Sequence, residues 1–242
     1  MSYFGKPIQR VGWLFVLATV TGVLSVLIMS STLGDEDLLA AVNANQGAML
    51  IGQLLILTML TAMTGTAVLL APILRRHSET LSLGYVLART LEVMTLGIGL
   101  VAGLLLLPLS WNALEAGTDA AAAELLADTL KTANDWTGYL GAQMVFSLSA
   151  LVLNWGLFRY RLVPRWLSVW GLIGVPLMFL SGLLVMIESL NSSASALNAL
   201  VVPLAVQEMA MAVWMIVKGF SDGAHVDTDT DSGHVRPERL GV

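Results

Sequence analysis

Cysteine is absent from all 242 residues, which excludes disulfides, thiolate metal sites, cysteine nucleophiles and iron–sulfur ligation. Histidine is almost as scarce. His77 falls beside Arg75 and Arg76 in a predicted loop, and His225 and His234 lie in a polar C-terminal stretch. An intramembrane haem held by two histidines, or a tetrahedral zinc site, therefore lacks ligands, and no cofactor or metal is expected. No lysine sits in the interior of an apolar run, so a retinal Schiff base has no anchor. Charge is the third scarcity: Asp, Glu, Lys and Arg make up 12% of the chain, against about a quarter in soluble domains. With neither a basic stripe nor aromatic–basic interleaving, nucleic acid is not an expected partner.

What fills the chain instead is hydrocarbon. Apolar residues make up 56% of it and its mean hydropathy is +0.78, so membrane lipid is the expected surrounding. A helix needs roughly 20 apolar residues to cross a core of about 30 Å. Six stretches qualify, near 11–31, 48–74, 83–109, 136–158, 166–188 and 197–218. Val11 to Met29 is longer than the apolar part of a signal peptide and no A-x-A site follows, so the first is read as a retained helix. The expected fold class is an all-α integral membrane protein, a six-transmembrane-helix bundle with a short outer-loop helix. Residues 1–220 form the transmembrane domain. Residues 221–242 offer almost nothing apolar to bury and are read as a disordered polar cytoplasmic tail.

Orientation follows from the basic residues. With the N-terminus inside, inner segments carry Lys6, Arg10, Arg75, Arg76, Arg159, Arg161, Arg165 and Lys218, while outer loops carry only Lys131. This positive-inside pattern is expected to place both termini on the cytoplasmic side of the membrane. Outer segments are acidic, with Asp35, Glu36 and Asp37 in the first and Glu115, Asp119, Glu124, Asp128 and Asp135 in the second. Trp13, Trp155, Trp166, Trp170 and Trp214 fall near inner helix ends and Trp111 and Trp136 near outer ends, where amphipathic rings prefer to sit. In the second outer connection Thr118 and Asp119 can cap a short helix over Ala120 to Lys131, with Leu126 and Leu130 on one face.

Ionised groups are costly in hydrocarbon, on the order of 2.5–3.5 kcal/mol on insertion scales, so the intramembrane charges carry the functional question. Three stand out: Arg89 and Glu92 on the third predicted span and Glu208 on the sixth. Arg89 and Glu92 are three apart and share a face. At about 1.5 Å per residue, Glu92 lies roughly 13 Å and Glu208 about 15 Å from the inner ends of their helices, so the two carboxylates occupy one level. A Glu–Arg–Glu cluster would carry one excess negative charge, to be met by protonation, a cation or a cationic ligand. The plain alternative is an architectural Arg89–Glu208 clamp.

Gln143, Ser147 and Asn154 form a polar stripe on the fourth span, and Gln46, Gln53, Thr61 and Thr64 fall similarly on the second. Such stripes face protein rather than lipid. Gln143, Ser147 and Gln207 join Arg89, Glu92 and Glu208 as candidate ligand- or ion-binding residues; no catalytic residue is assigned. Gly99 and Gly103 form G-x-x-x-G, and Gly138 with Ala142 a similar pair, both read as packing. Pro108, Pro176 and Pro203 are expected to bend or break helices, Pro203 freeing a carbonyl near the charged level.

The segment R-Y-R-L-V-P-R-W-L-S-V-W-G-L-I-G from Arg159 to Gly174, A-R-T-L-E from Ala88 to Glu92, and P-L-A-V-Q-E-M from Pro203 to Met209 before V-K-G-F at 217–220 together resemble the bacterial domain-of-unknown-function family 4386. The resemblance covers nearly the whole chain up to Phe220 and implies a small bacterial multi-pass membrane protein. It supplies no catalytic residues. Three readings compete: a carrier or receptor for a small polar or cationic ligand or a proton; an intramembrane acid–base enzyme, disfavoured because no nucleophile has an adjacent histidine; and a non-catalytic interaction or assembly protein that uses the G-x-x-x-G surface and the tail to hold partners, with the cluster a structural clamp and an oligomer open to it.

Overall fold

The computed structural model describes residues 5–113, 119–188 and 200–220. Within them the fold is all-helical, with no strand: α1 (Gly5–Leu33), α2 (Leu38–Ala44), α3 (Gln46–Arg75), α4 (Glu79–Asn112), α5 (Ala120–Tyr139), a π-helical segment (Leu140–Val145), α6 (Phe146–Arg159), α7 (Arg165–Glu188) and α8 (Val202–Val217). Five stretches are long and apolar enough to cross a membrane: Pro7–Leu33, Gln46–Arg75, Glu79–Asn112, Ala120–Arg159 and Arg165–Ile187. The sixth predicted span corresponds to α8, whose 16 residues extend about 24 Å. Its expected start at 197, the residues 221–242 and the predicted cap Thr118 lie outside the described residues.

The second outer connection departs from expectation. Instead of a short helix, a loop and a fourth span, Ala120–Arg159 is one helical rod of 40 residues, roughly 60 Å long and twice the thickness of a hydrocarbon core. Lys131 and Asp135, both expected in the outer connection, are partners within the helix: Lys131 Nζ lies 2.7 Å from Asp135 Oδ2 at i,i+4, and neither glycine nor proline interrupts 119–137. The expected cap is present, with Asp119 accepting from the N–H groups of Ala121 and Ala122. In the first outer connection α2 was not anticipated, although Asp37 caps it by accepting from the Ala40 N–H.

Helix α3 packs between α1 and α4, α6 between α4 and α7, and α8 against α1 and α7. Buried side chains gather in two main layers. One, at the end of the α3–α4 and α6–α7 connections, contains Ile8, Val11, Leu70, Leu74, Tyr85, Leu157, Leu167 and Met215. The other, toward α2, contains Met29, Val42, Met49 and Leu106. The charged site lies between them. The outward faces are hydrocarbon: Leu87, Met94 and Ile98 of α4 are 68%, 64% and 61% exposed, as suits contact with lipid tails.

Small residues work inward. Gly99 meets Thr137 and Asn134 of α5, and Asn134 Nδ2 donates to the Gly99 carbonyl at 2.9 Å, while Gly103 makes room for the Gln53 amide. The G-x-x-x-G face is therefore consumed inside the bundle and is not an outward docking surface. Gly138 and Ala142 correct the packing expectation: nothing lies within 4 Å of a Cβ at Gly138, and both residues line a cavity. Gly141, one step round the helix, is the glycine that packs, against Leu96.

The polar stripe on α3 is only partly internal. Gln53 is buried, but Thr61 and Thr64 are exposed and donate to the carbonyls of Leu57 and Leu60. A hydroxyl that meets its need on its own helix tolerates a lipid-facing position, whereas an amide does not. Pro72, Pro108 and Pro176 sit inside continuous helices. Pro203 frees no carbonyl, because it occupies the first turn of α8, where an N–H would have no partner in any case.

At the α3–α4 connection the His77 ring stacks on Tyr160 with centroids 4.8 Å apart. Burial, reinforced by the Arg76 charge, holds its imidazole below the ordinary 6.5. The unfolded chain therefore takes up this proton first, so stability is complete above about pH 6.5 and declines as pH falls through the lower folded-state value. An NMR titration should place the His77 midpoint below 6.5, and His77→Phe should flatten that part of the stability profile.

Candidate functional site

Arg89 and Glu92 are 2% and 1% exposed, one turn apart on the face of α4 turned toward α1, α3 and α6. Arg89 Nη1 donates to both Glu92 oxygens, at 3.0 and 3.1 Å. Nη2 lies 3.4 Å from the Tyr85 hydroxyl, which is 3.4 Å from Thr66 Oγ1 on α3. Since Thr66 uses its own proton on the Met63 carbonyl, Tyr85 accepts from the guanidinium and donates to Thr66. On the other flank Ser149 of α6 donates to Glu92 Oε2 at 2.7 Å.

The guanidinium is enclosed by aromatic rings from three helices: its Cζ stands 5.7 Å from the Phe15 centroid, 5.6 Å from Tyr85 and 5.7 Å from Phe146, within range of cation–π attraction. Its Nε is buried without a hydrogen-bond partner among the described residues. The ion pair closes within α4. It does not tie α4 to α8, as the Arg89–Glu208 clamp would require, because no ion pair of 4.0 Å or less reaches Glu208 among the described residues.

Glu208 nevertheless shares the site's space. It lines a cavity of about 760 Å³ together with Arg89 and Glu92, and a narrow crevice together with Arg89, Asn154 and Gln207. Its carboxylate makes no hydrogen bond among the described residues and keeps part of its surface accessible. The large cavity follows α1 from Phe15 to Leu33, with α3, α4, α5 and the π segment as its other walls. Helices α1 and α5 do not pack closely on each other, and the space between them is partly open.

The remaining candidates divide. Gln143, in the π segment, is part of the lining of the large cavity, but its Oε1 is buried against Gly182 of α7 and has no partner among the described residues. Ser147 is buried but donates to the Gln143 carbonyl at 2.5 Å and lines neither cavity. Gln207 fastens three helices, its Nε2 reaching Asn154 Oδ1 on α6 and the Leu167 carbonyl on α7, both at 3.1 Å. Gly171 of α7 leaves the room that the Asn154 amide needs. Interhelical hydrogen bonds in bilayers are worth about 0.6 kcal/mol and at most about 1.7. Gln207→Leu should cost that range in unfolding measurements, whereas Thr61→Ala, on the lipid face, should cost nothing measurable.

These residues correspond to a known family. Residues 11–219 match the family described as Domain of unknown function (DUF4386). The chain belongs to the DUF4386 family. No curated protein and no solved structure matches the chain.

Sequence reasoning overlooked several members of the DUF4386 chain's site. Tyr85 lies one turn before Arg89 and was open to inference. Ser149 was obscured by the π segment, whose wider turn shifts every later residue against the spacing read from Gln143. Phe15, Thr66 and Phe146 come from other helices and carry no local signal. No histidine lines either cavity.

Proposed function

We propose that this protein is a bacterial cytoplasmic-membrane carrier or receptor that holds a small molecule beside a Glu92–Arg89–Glu208 cluster, within six membrane-crossing helices whose two ends lie in the cytoplasm. The observation that carries this reading is the pairing of a 760 Å³ cavity with a charged wall in which Arg89 is already matched by Glu92 while Glu208 has no partner among the described residues. A cluster that served only to hold helices would be closed and dry. The topology rests on the distribution of Lys and Arg. An acid–base enzyme is less well supported, since both Glu92 oxygens already accept hydrogen bonds from Arg89 and Ser149 and no histidine is at hand to exchange protons.

The reading is tested by purifying the protein in mild detergent and identifying small molecules that accompany it by mass spectrometry. The wild type should carry a compound at near-equal ratio, and Gly138→Phe, which fills the cavity without touching a charge, should lose it. Equal retention by both would count against the cavity as the binding site.

A further inference from the structure

Two features of the cavity constrain its ligand, given that it is a binding site as proposed above. The first is shape. The cavity follows α1 from Phe15 to Leu33, nineteen residues or roughly 27 Å of helix. Its walls along that length are hydrocarbon from three helices, including Val23, Val26, Met59, Met63, Leu96 and Leu100. Several of the polar groups that interrupt them are already satisfied: Asn134 by the Gly99 carbonyl, Thr137 by the Ala133 carbonyl and Asp135 by Lys131. A compact polar solute would leave most of this surface facing nothing it can interact with.

The second is charge. At the Phe15 end the cavity meets Arg89, Glu92 and Glu208. Arg89 donates to both Glu92 oxygens, so the pair is neutral as a unit. Glu208 then contributes an acidic group with no counter-charge. Gln143 Oε1 and Arg89 Nε also lack partners among the described residues, but both atoms are buried from any ligand, Gln143 Oε1 against Gly182 of α7. The accessible unmet group is the Glu208 carboxylate. An anionic headgroup would meet two carboxylates and a guanidinium already committed. A neutral alcohol would offer one proton and no charge. An ammonium group supplies the missing charge and up to three N–H donors.

We infer that the cavity takes an ammonium amphiphile, its cationic amine at Glu208 and its hydrocarbon body along α1 toward Leu33. The same chemistry can arrive as a free long-chain amine or as the headgroup of an aminophospholipid.

The probe is radiolabelled dodecylamine, with dodecanol and dodecanoate as chain-matched controls, added to the full-length protein in phosphatidylglycerol nanodiscs and corrected for binding to empty discs. Dodecylamine should bind saturably at one site, at least tenfold more tightly than either control. Glu208→Gln should weaken it at least tenfold while leaving dodecanol unchanged, and Gly138→Phe should abolish it. Thermal unfolding of both variants should match the wild type; should either misfold, Ala142→Phe supplies the same block from the next turn. Repeating the titration with phosphatidylethanolamine in the disc separates the sources: competition assigns the site to the lipid headgroup and an unchanged affinity to the free amine, and either supports the ammonium site. Tighter binding of dodecanol or dodecanoate, still blocked by Gly138→Phe, would overturn the amine assignment while leaving the cavity as a binding site. Absence of saturable binding by all three would overturn both.

Discussion

Replacing Glu92 by alanine is expected to lower stability by about 3–5 kcal/mol, the usual consequence of removing one partner from a buried ion pair. The cost is set by what remains. Arg89 is 2% exposed, its Nη1 would lose both acceptors, and the Tyr85 hydroxyl at 3.4 Å cannot replace a carboxylate. Its guanidinium is held beneath three rings and cannot reach the headgroup region without leaving them. Replacing both partners, Arg89→Met with Glu92→Leu, should restore most of the loss, because an apolar pair of similar volume leaves no orphaned charge. Reversible unfolding in mixed micelles, completed as a double-mutant cycle, measures this directly. A single Glu92→Ala variant as stable as the wild type would mean that Glu208 has taken over as the counter-ion, contrary to the separation seen here.

Substituting Gly12 by leucine should be the second most damaging change, at about 1–3 kcal/mol. A Cβ at Gly12 would stand 2.7 Å from the Ala212 carbonyl oxygen and 2.7 Å from Ile216 Cγ1. The first is backbone, so the strain is relieved only by moving α8 away from α1. Ala212 lies one helical turn beyond Glu208, and the same displacement would carry Glu208 away from Arg89. Ligand binding should weaken along with stability. Gly97→Ala, with nothing within 4 Å of the added carbon, is the matching control and should leave the unfolding midpoint unchanged or slightly raised.

The helical membrane architecture was legible because crossing a bilayer demands long apolar runs, and five of the six predicted spans recur as helices long and apolar enough to do so. The rod over Ala120–Arg159 was misread because Lys131 and Asp135 look like loop residues when counted singly and like a helical pair once their spacing of four is considered. Arg89 and Glu92 were legible because charge in hydrocarbon is rare and their spacing is local. The direction of pairing was not. Sequence gives the level of a residue along its helix, and Glu92 and Glu208 do line one cavity, but it does not give the distance between helices, which here leaves Glu208 beside open space rather than against Arg89. The same limit hid Phe15, Thr66 and Phe146, whose roles exist only once α1, α3 and α6 have converged.

The central claim is that the charged cluster faces a cavity rather than lipid or a sealed core. Because the chain contains no cysteine, single cysteines report without background. Ala142→Cys, on the cavity wall, and Met94→Cys, on the lipid face at 64% exposure in the wild type, should be compared for reaction with a small cationic thiosulfonate in nanodiscs. The account predicts rapid modification at 142, slowed by dodecylamine, and none above background at 94. Equal protection of both positions, or modification at 94 alone, would contradict it.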